Sequence, residues 1–259
     1  MERVTSMIDI HTHILPGVDD GAETLEDSLR LARAAVEDGI HTVIATPHHA
    51  NGKYTNSAAD ILPRVRALNE ELIRADIPLT VLPGQEIRLT NQFFEEWESG
   101  TLQGLHESSY ILIEFPSGHI PLDTPAFIYE LSLLNLQAII AHPERNAEIA
   151  SKPDLLQELI EKGALAQVTS HSLNGSFGSK IQQVALQLCR RNLVHFVSTD
   201  AHHWEGRGFD LSRAYALVER ELGAGESNYY KSNAACILAN SPIPIREPLG
   251  LRKKWYQFW

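Results

Sequence analysis

The sequence predicts an α/β barrel, because short apolar runs alternate with longer stretches of helical periodicity and most runs end in residues that can bind metal. Such alternation is how parallel strands joined by crossover helices read. At 259 residues the chain has the length of one such barrel, a fold of about 250 residues. A parallel barrel gathers the carboxyl ends of its strands on one face, so residues scattered along the chain converge there.

The first run, 7–11, leads into His13. Side chains alternate along a strand, so His11 and His13 project together at its end, and Asp9 shares their parity. A buried carboxylate needs a partner, which gives Asp9 a supporting place behind the imidazoles. Asp19-Asp20-Gly21 follows, and either aspartate could join the histidines. Leu25, Leu29, Ala32 and Val36 then share one helical face, with Thr24 and Asp27 spaced as a capping box and Gly39 placed to end the helix. The second run, 41–45, is followed by Thr46-Pro-His48-His49. Ile61, Val65, Leu68 and Leu72 mark the next helix, and Pro63 is expected in its first turn or at a kink.

The third run, 79–83, precedes Gly84-Gln-Glu86, and the fourth, 109–114, ends at Glu114. The fifth, 137–141, is followed by His142-Pro-Glu-Arg145, while the sixth, 164–168, leads to no obvious ligand. The seventh, 195–198, precedes Thr199-Asp200-Ala-His202-His203. Further helices are expected at 90–99, 121–135, 153–162, 178–191 and 210–222. The candidate ligands are thus five imidazoles (His11, His13, His48, His142, His202) and four carboxylates (Asp20, Glu86, Glu114, Asp200). Nine donors exceed the needs of one ion and suit two or three divalent ions. Imidazole and carboxylate without thiolate point to Mn, Fe or Zn rather than Ca or Mg.

Composition narrows the function further. A net charge of -11 argues against a nucleic-acid surface, since phosphate backbones are bound by clustered Lys and Arg. Cys189 and Cys236 alone make no disulfide framework and suit a reducing compartment. With no apolar run of membrane-spanning length, the chain reads as cytoplasmic. Three parts are expected: an extension at 1–6, one catalytic domain at 7–250, and a basic-aromatic tail at 251–259. The tail, Lys253-Lys-Trp-Tyr-Gln-Phe-Trp259, is expected to fold back on the body or fray, the alternative being a docking segment for a partner or membrane surface. His41 and His195 begin strands, at the end remote from the ligands, and read as structural. His49 and His203 adjoin ligands and read as supporting groups or substrate contacts.

The run Met7-Ile-Asp-Ile-His-Thr-His13 with Val18-Asp-Asp-Gly21, Thr46-Pro-His48, Glu86, Ile113-Glu114-Phe, Ala141-His-Pro-Glu-Arg145 and Ser198-Thr-Asp-Ala-His202 through Gly206-Arg207 resembles the polymerase-and-histidinol-phosphatase (PHP) superfamily. Within it, the chain is most similar to the manganese-dependent protein-tyrosine phosphatases of capsule and exopolysaccharide operons. That resemblance implies a distorted (β/α)7 barrel, TIM-like and of the PHP fold, carrying three metal ions, with manganese the expected metal. It further implies that His11, His13, Glu86 and Asp200 hold one ion, Glu86, Glu114 and His142 a second, and Asp20, His48 and His202 a third. Arg145 and Arg207 match the family's phosphate clamp and so carry both substrate binding and catalysis. The implied reaction is hydrolysis of phosphotyrosine by a metal-activated water, with a bacterial tyrosine kinase tail as the substrate protein. The alternatives are a histidinol-phosphate or other small-molecule phosphomonoesterase, and a module that binds a kinase without turnover. A cysteine nucleophile is excluded, because the arginine required six positions later is His195 after Cys189 and Pro242 after Cys236.

Overall fold

The computed structural model describes residues 7–250; the expected extension at 1–6 and tail at 251–259 lie outside them. Among the described residues nine strands form: β1 (Met7–Thr12), β2 (Ile40–Ala45), β3 (His48–His49), β4 (Thr80–Pro83), β5 (Glu86–Arg88), β6 (Tyr110–Glu114), β7 (Gln137–Ala141), β8 (Leu165–Thr169) and β9 (Phe196–Ser198). Every strand pairing is parallel. All seven expected runs are present, and β3 and β5 are additional. They are short resumptions of β2 and β4, offset by Thr46-Pro47 and Gly84-Gln85, and they carry His48 and Glu86 directly on strands.

The offset splits the sheet into two arcs, β1-β2-β4 and β3-β5-β6-β7-β8-β9. Pro47 has no N–H for a ladder, but its carbonyl accepts from Glu86 N–H at 3.2 Å. The far side is drawn together where β9 meets β1: Asp200 N–H donates to His11 O at 2.9 Å and His13 N–H to Ala201 O at 2.8 Å. The result is the distorted α/β barrel, its sheet interrupted rather than continuously closed.

Among the described residues ten helices pack on it: α1 (Leu25–Glu37), α2 (Ala58–Arg74), α3 (Phe93–Glu98), α4 (Thr124–Leu133), α5 (Ala147–Ser151), α6 (Asp154–Glu161), α7 (Ser170–Asn174), α8 (Ser179–Arg190), α9 (Leu211–Leu222) and α10 (Ala224–Leu238). The reciprocal Thr24 and Asp27 capping box starts α1 as its spacing predicts. Of the two places expected for Pro63, the first turn does not hold: Ser57 caps α2 and the helix begins at Ala58, so the proline sits within the helix beyond its first turn. Two short helices, α5 and α7, and the whole of α10 were not expected.

The strands bury two apolar layers. Val43, Val81, Ile111, Ile113, Ile140 and Val168 pack outward under the helices. Ile10, Ile44, Leu112, Ile139, Leu165 and Phe196 fill the interior with Ala234 and Ile237 of α10. Helix α10 therefore stops one end of the barrel with an apolar plug. Toward the carboxyl ends the interior turns polar, through Gln167 to the imidazoles.

Candidate metal centre

The loop after β1 doubles back tightly onto its own strand. A Cβ on Gly21 would fall 2.1 Å from His13 O, closer than atoms can approach, so only glycine permits the return. That return delivers two adjacent aspartates to different tasks. Asp19 accepts from His13 Nδ1–H at 2.6 Å and also from His48 N–H at 3.1 Å. Asp20 instead lies across the mouth, 3.4 Å from His48 Nε2 and 3.6 Å from His202 Nε2. The pair left open by spacing thus separates in space, Asp19 orienting an imidazole and Asp20 joining the donors.

Other imidazoles are oriented in the same manner. His11 Nδ1–H donates to Gln167 Oε1 at 2.9 Å and His202 Nδ1–H to Asp200 O at 2.9 Å. With Nδ1 committed in His11, His13 and His202, each Nε2 lone pair is free to bind a cation. Glu86 stands at the middle: its Oε2 is 2.8 Å from His48 Nδ1 and its Oε1 is 2.8 Å from His142 Nε2. Parallel pairing of β3 with β5 sets His48 directly beside Glu86. Asp200 Oδ1 lies 3.3 Å from Nε2 of both His11 and His13.

Among the described residues, four overlapping groups place their donor atoms within 4.8 Å of one another: His13, Asp20, His48 and His202; His11, His142 and Asp200; His11, His13 and Glu86; His48, Glu86 and Glu114. Together these groups contain all nine sequence-predicted ligands. The buried acceptors Glu86 Oε2 and Asp200 Oδ1 make no hydrogen bond within the chain. Such orphans are costly unless a cation satisfies them, so the donor set fits divalent metal. Its backbone is also strained, since His142 and Asp200 adopt left-handed conformations with φ of 35° and 57°.

The charges respond to this crowding. Burial pushes the Glu114 carboxyl up to about 7, with Glu86 adding to it and Arg88 opposing. Burial also takes His142 and His202 down to about 4, so both are neutral and ready to donate a lone pair at physiological pH. Burial alone would raise Asp200, but His11, Arg207 and Arg145 hold it well below the usual carboxylate range.

Arg145 and Arg207 reach the same place from different loops. Arg145 Nη1 donates to Asp200 Oδ2 at 2.5 Å, and Arg207 Nη2 donates to that same oxygen. Sequence reasoning missed three neighbours. Arg88 pairs with Glu114 at 2.8 Å, a contact foreshadowed by its strand parity with Glu86. Gln167 orients His11, and Phe177 lies under both arginines; neither carries a local motif. Asp9 supports the site from behind, accepting from the backbone N–H of His11 and Thr199 at 3.2 Å each.

Comparison with known proteins bears directly on this arrangement. The capsular polysaccharide synthesis CpsB/CapC family profile matches residues 7–239. The chain is 45% identical over 248 residues to the tyrosine-protein phosphatase YwqE of Bacillus subtilis (strain 168), covering 96% of this chain and 98% of that one. It is 38% identical to the putative tyrosine-protein phosphatase CapC of Staphylococcus aureus, covering 96% and 99% of the two chains. A crystal structure from work on YwqE and the Streptococcus pneumoniae CpsB, described as unique metal-dependent tyrosine phosphatases, superposes with a TM-score of 0.93 at 45% identity, covering 95% of this chain and all of that one. The Escherichia coli phosphotriesterase homology protein aligns with a TM-score of 0.56 at 13% identity over 90% of this chain and 99% of that one, a likeness of fold alone.

Proposed function

The chain belongs to the CpsB/CapC capsular polysaccharide synthesis family, and on that premise we propose that it is a metal-dependent protein-tyrosine phosphatase acting on a bacterial tyrosine kinase of capsule or exopolysaccharide synthesis. The observation that carries this reading is the convergence of nine imidazole and carboxylate donors with two guanidinium groups at one mouth. The donors divide as His11, His13, Glu86 and Asp200; Glu86, Glu114 and His142; and Asp20, His48 and His202. Glu86 is shared, which suits its contacts on two sides. Manganese is the proposed metal, with Fe or Zn as the other ions this donor set accepts. The two free cysteines suit action in a reducing compartment, on the cytoplasmic face where a kinase tail would lie.

These donors would hold divalent ions, which would supply an acidified water as nucleophile and neutralise phosphoryl oxygens. The chain's own groups do the rest. Arg145 and Arg207 place the phosphoryl group with the N–H donors not given to Asp200 and hold its charge as the ester bond breaks. Asp19 and Gln167 keep His13 and His11 in the tautomer that leaves Nε2 free. A phenolate leaves with a conjugate-acid pKa of about 10, so proton donation to it matters less than for an aliphatic alcohol. That makes phosphotyrosine the chemically easier ester to cleave, compared with phosphoserine.

Metal-loaded protein should hydrolyse a phosphotyrosine peptide well ahead of histidinol phosphate at equal enzyme concentration. Absence of any phosphomonoesterase activity in that protein would refute the reading. Arg207→Ala should retain the metal while losing about a hundredfold or more in kcat/KM. Undiminished turnover would remove Arg207 from the reaction.

A further inference from the structure

Arg145 and Arg207 arrive from different strand ends, yet both lie over one aromatic ring. The Arg145 guanidinium carbon is 5.5 Å from the Phe177 ring centroid and that of Arg207 is 6.0 Å. Both groups also meet at Asp200 Oδ2. Two like charges drawn to one carboxylate oxygen repel each other, even though Glu144 and Glu86 also favour the Arg145 charge. The face of an aromatic ring attracts both cations and occupies none of their N–H donors. An acidic side chain in its place would take donors needed by the phosphoryl oxygens.

The ring is itself held in place. Helix α7 ends at Gly175 with φ of 82°, and α8 follows Gly178 with φ of 92°. Both values lie in the left-handed region that glycine adopts without strain, so Ser176 and Phe177 form a tight turn between two glycines. Ser176 N–H donates to His171 O at 2.9 Å and Gly178 N–H to Gly175 O at 3.0 Å. The His171 ring packs 5.8 Å from Phe177. Asp210, three residues past Arg207, accepts from Asn174 Nδ2 at 2.6 Å and from Ser170 Oγ. These bonds join the segment bearing Phe177 to the loop bearing Arg207.

Resting on the phosphatase reading, we propose that Phe177 is a positioning residue that holds Arg145 and Arg207 side by side, with their N–H donors free to grip the phosphoryl group as a pair. The test compares Phe177→Ala, Phe177→Leu and Phe177→Tyr in full-length, metal-loaded protein. It measures kcat/KM on a phosphotyrosine peptide, inhibition by inorganic phosphate, and bound metal. Ala and Leu should lower kcat/KM and weaken phosphate inhibition by about tenfold, with metal content unchanged, while Tyr restores both. Leucine fills similar space without a π face. Wild-type values in the Leu variant, or a Tyr variant as impaired as the Leu variant, would overturn the assignment. Should the Ala variant fail to fold, the Leu and Tyr comparison decides alone. Wild-type protein inert toward the peptide but active on another phosphomonoester would defeat the substrate reading, and phosphate inhibition of the same variants would still judge Phe177.

Discussion

His142 and Asp200 show what a single residue can and cannot declare. Their side-chain chemistry and place after apolar runs marked them as donors, but nothing local announced that both backbones would be left-handed. The same holds for Asp19 and Asp20, adjacent and alike in sequence, separated only by where a loop closing against His13 puts each carboxylate. His195 supplies a test remote from the metal site, at the opposite end of β9 from Asp200. Its Nδ1 accepts Ala166 N–H at 3.2 Å, and burial pulls its pKa down to about 4. The folded state thus binds this proton less readily than the unfolded chain, whose histidine titrates near 6.5. The stabilisation is complete above that value and is lost as pH falls toward 4. His195→Asn keeps an acceptor near Nδ1 and removes the titration. Its stability deficit against wild type, measured by urea unfolding, should shrink by about 2–3 kcal/mol between pH 7.5 and pH 4.5; a deficit independent of pH would contradict this.

At the scale of elements, strong periodicity was legible and weak contrast was not. α1 carries its own start signal and a clear apolar face, and it forms where that pattern lies. α10 escaped because its buried positions include Ser227, Tyr230 and Asn233 beside Ala234 and Ile237, so its inward face looks polar in sequence. Strands β3 and β5 escaped for another reason: two or three residues leave too little alternation to read. Within α2, Pro63 lacks the N–H that would bond to the carbonyl of Ala59, and it lies on the exposed side of the helix. Pro63→Ala should therefore stabilise the protein by about 1 kcal/mol, the helix gain being partly offset by a freer unfolded chain. Chemical denaturation would check the sign, and a destabilised variant would show that the ring's packing outweighs the missing bond.

The whole molecule sets an apolar plug at one end of a barrel and a dense cluster of ionisable groups at the other. Among the described residues no helix is long and apolar enough to cross a membrane. Four carboxylates and five imidazoles held this close favour any state in which cations share their charge. Adding manganese at about a thousandfold over its Kd should stabilise the fold by about 4 kcal/mol and raise Tm by about 10 °C, reversibly with chelator. A Tm indifferent to metal would argue against a preformed centre. The sequence by itself determined the α/β class and the seven principal strands, because each is a local matter of periodicity; residue type at the strand ends supplied the candidate donors, while Arg145, Arg207 and the choice of Asp20 over Asp19 rested on family resemblance. Only the tertiary structure decided that the sheet breaks into two arcs, that α10 closes the floor, and that Gln167, Arg88 and Phe177 attend the site. Those depend on contacts between residues far apart in the chain, where distance and direction, rather than spacing along the backbone, determine which groups meet.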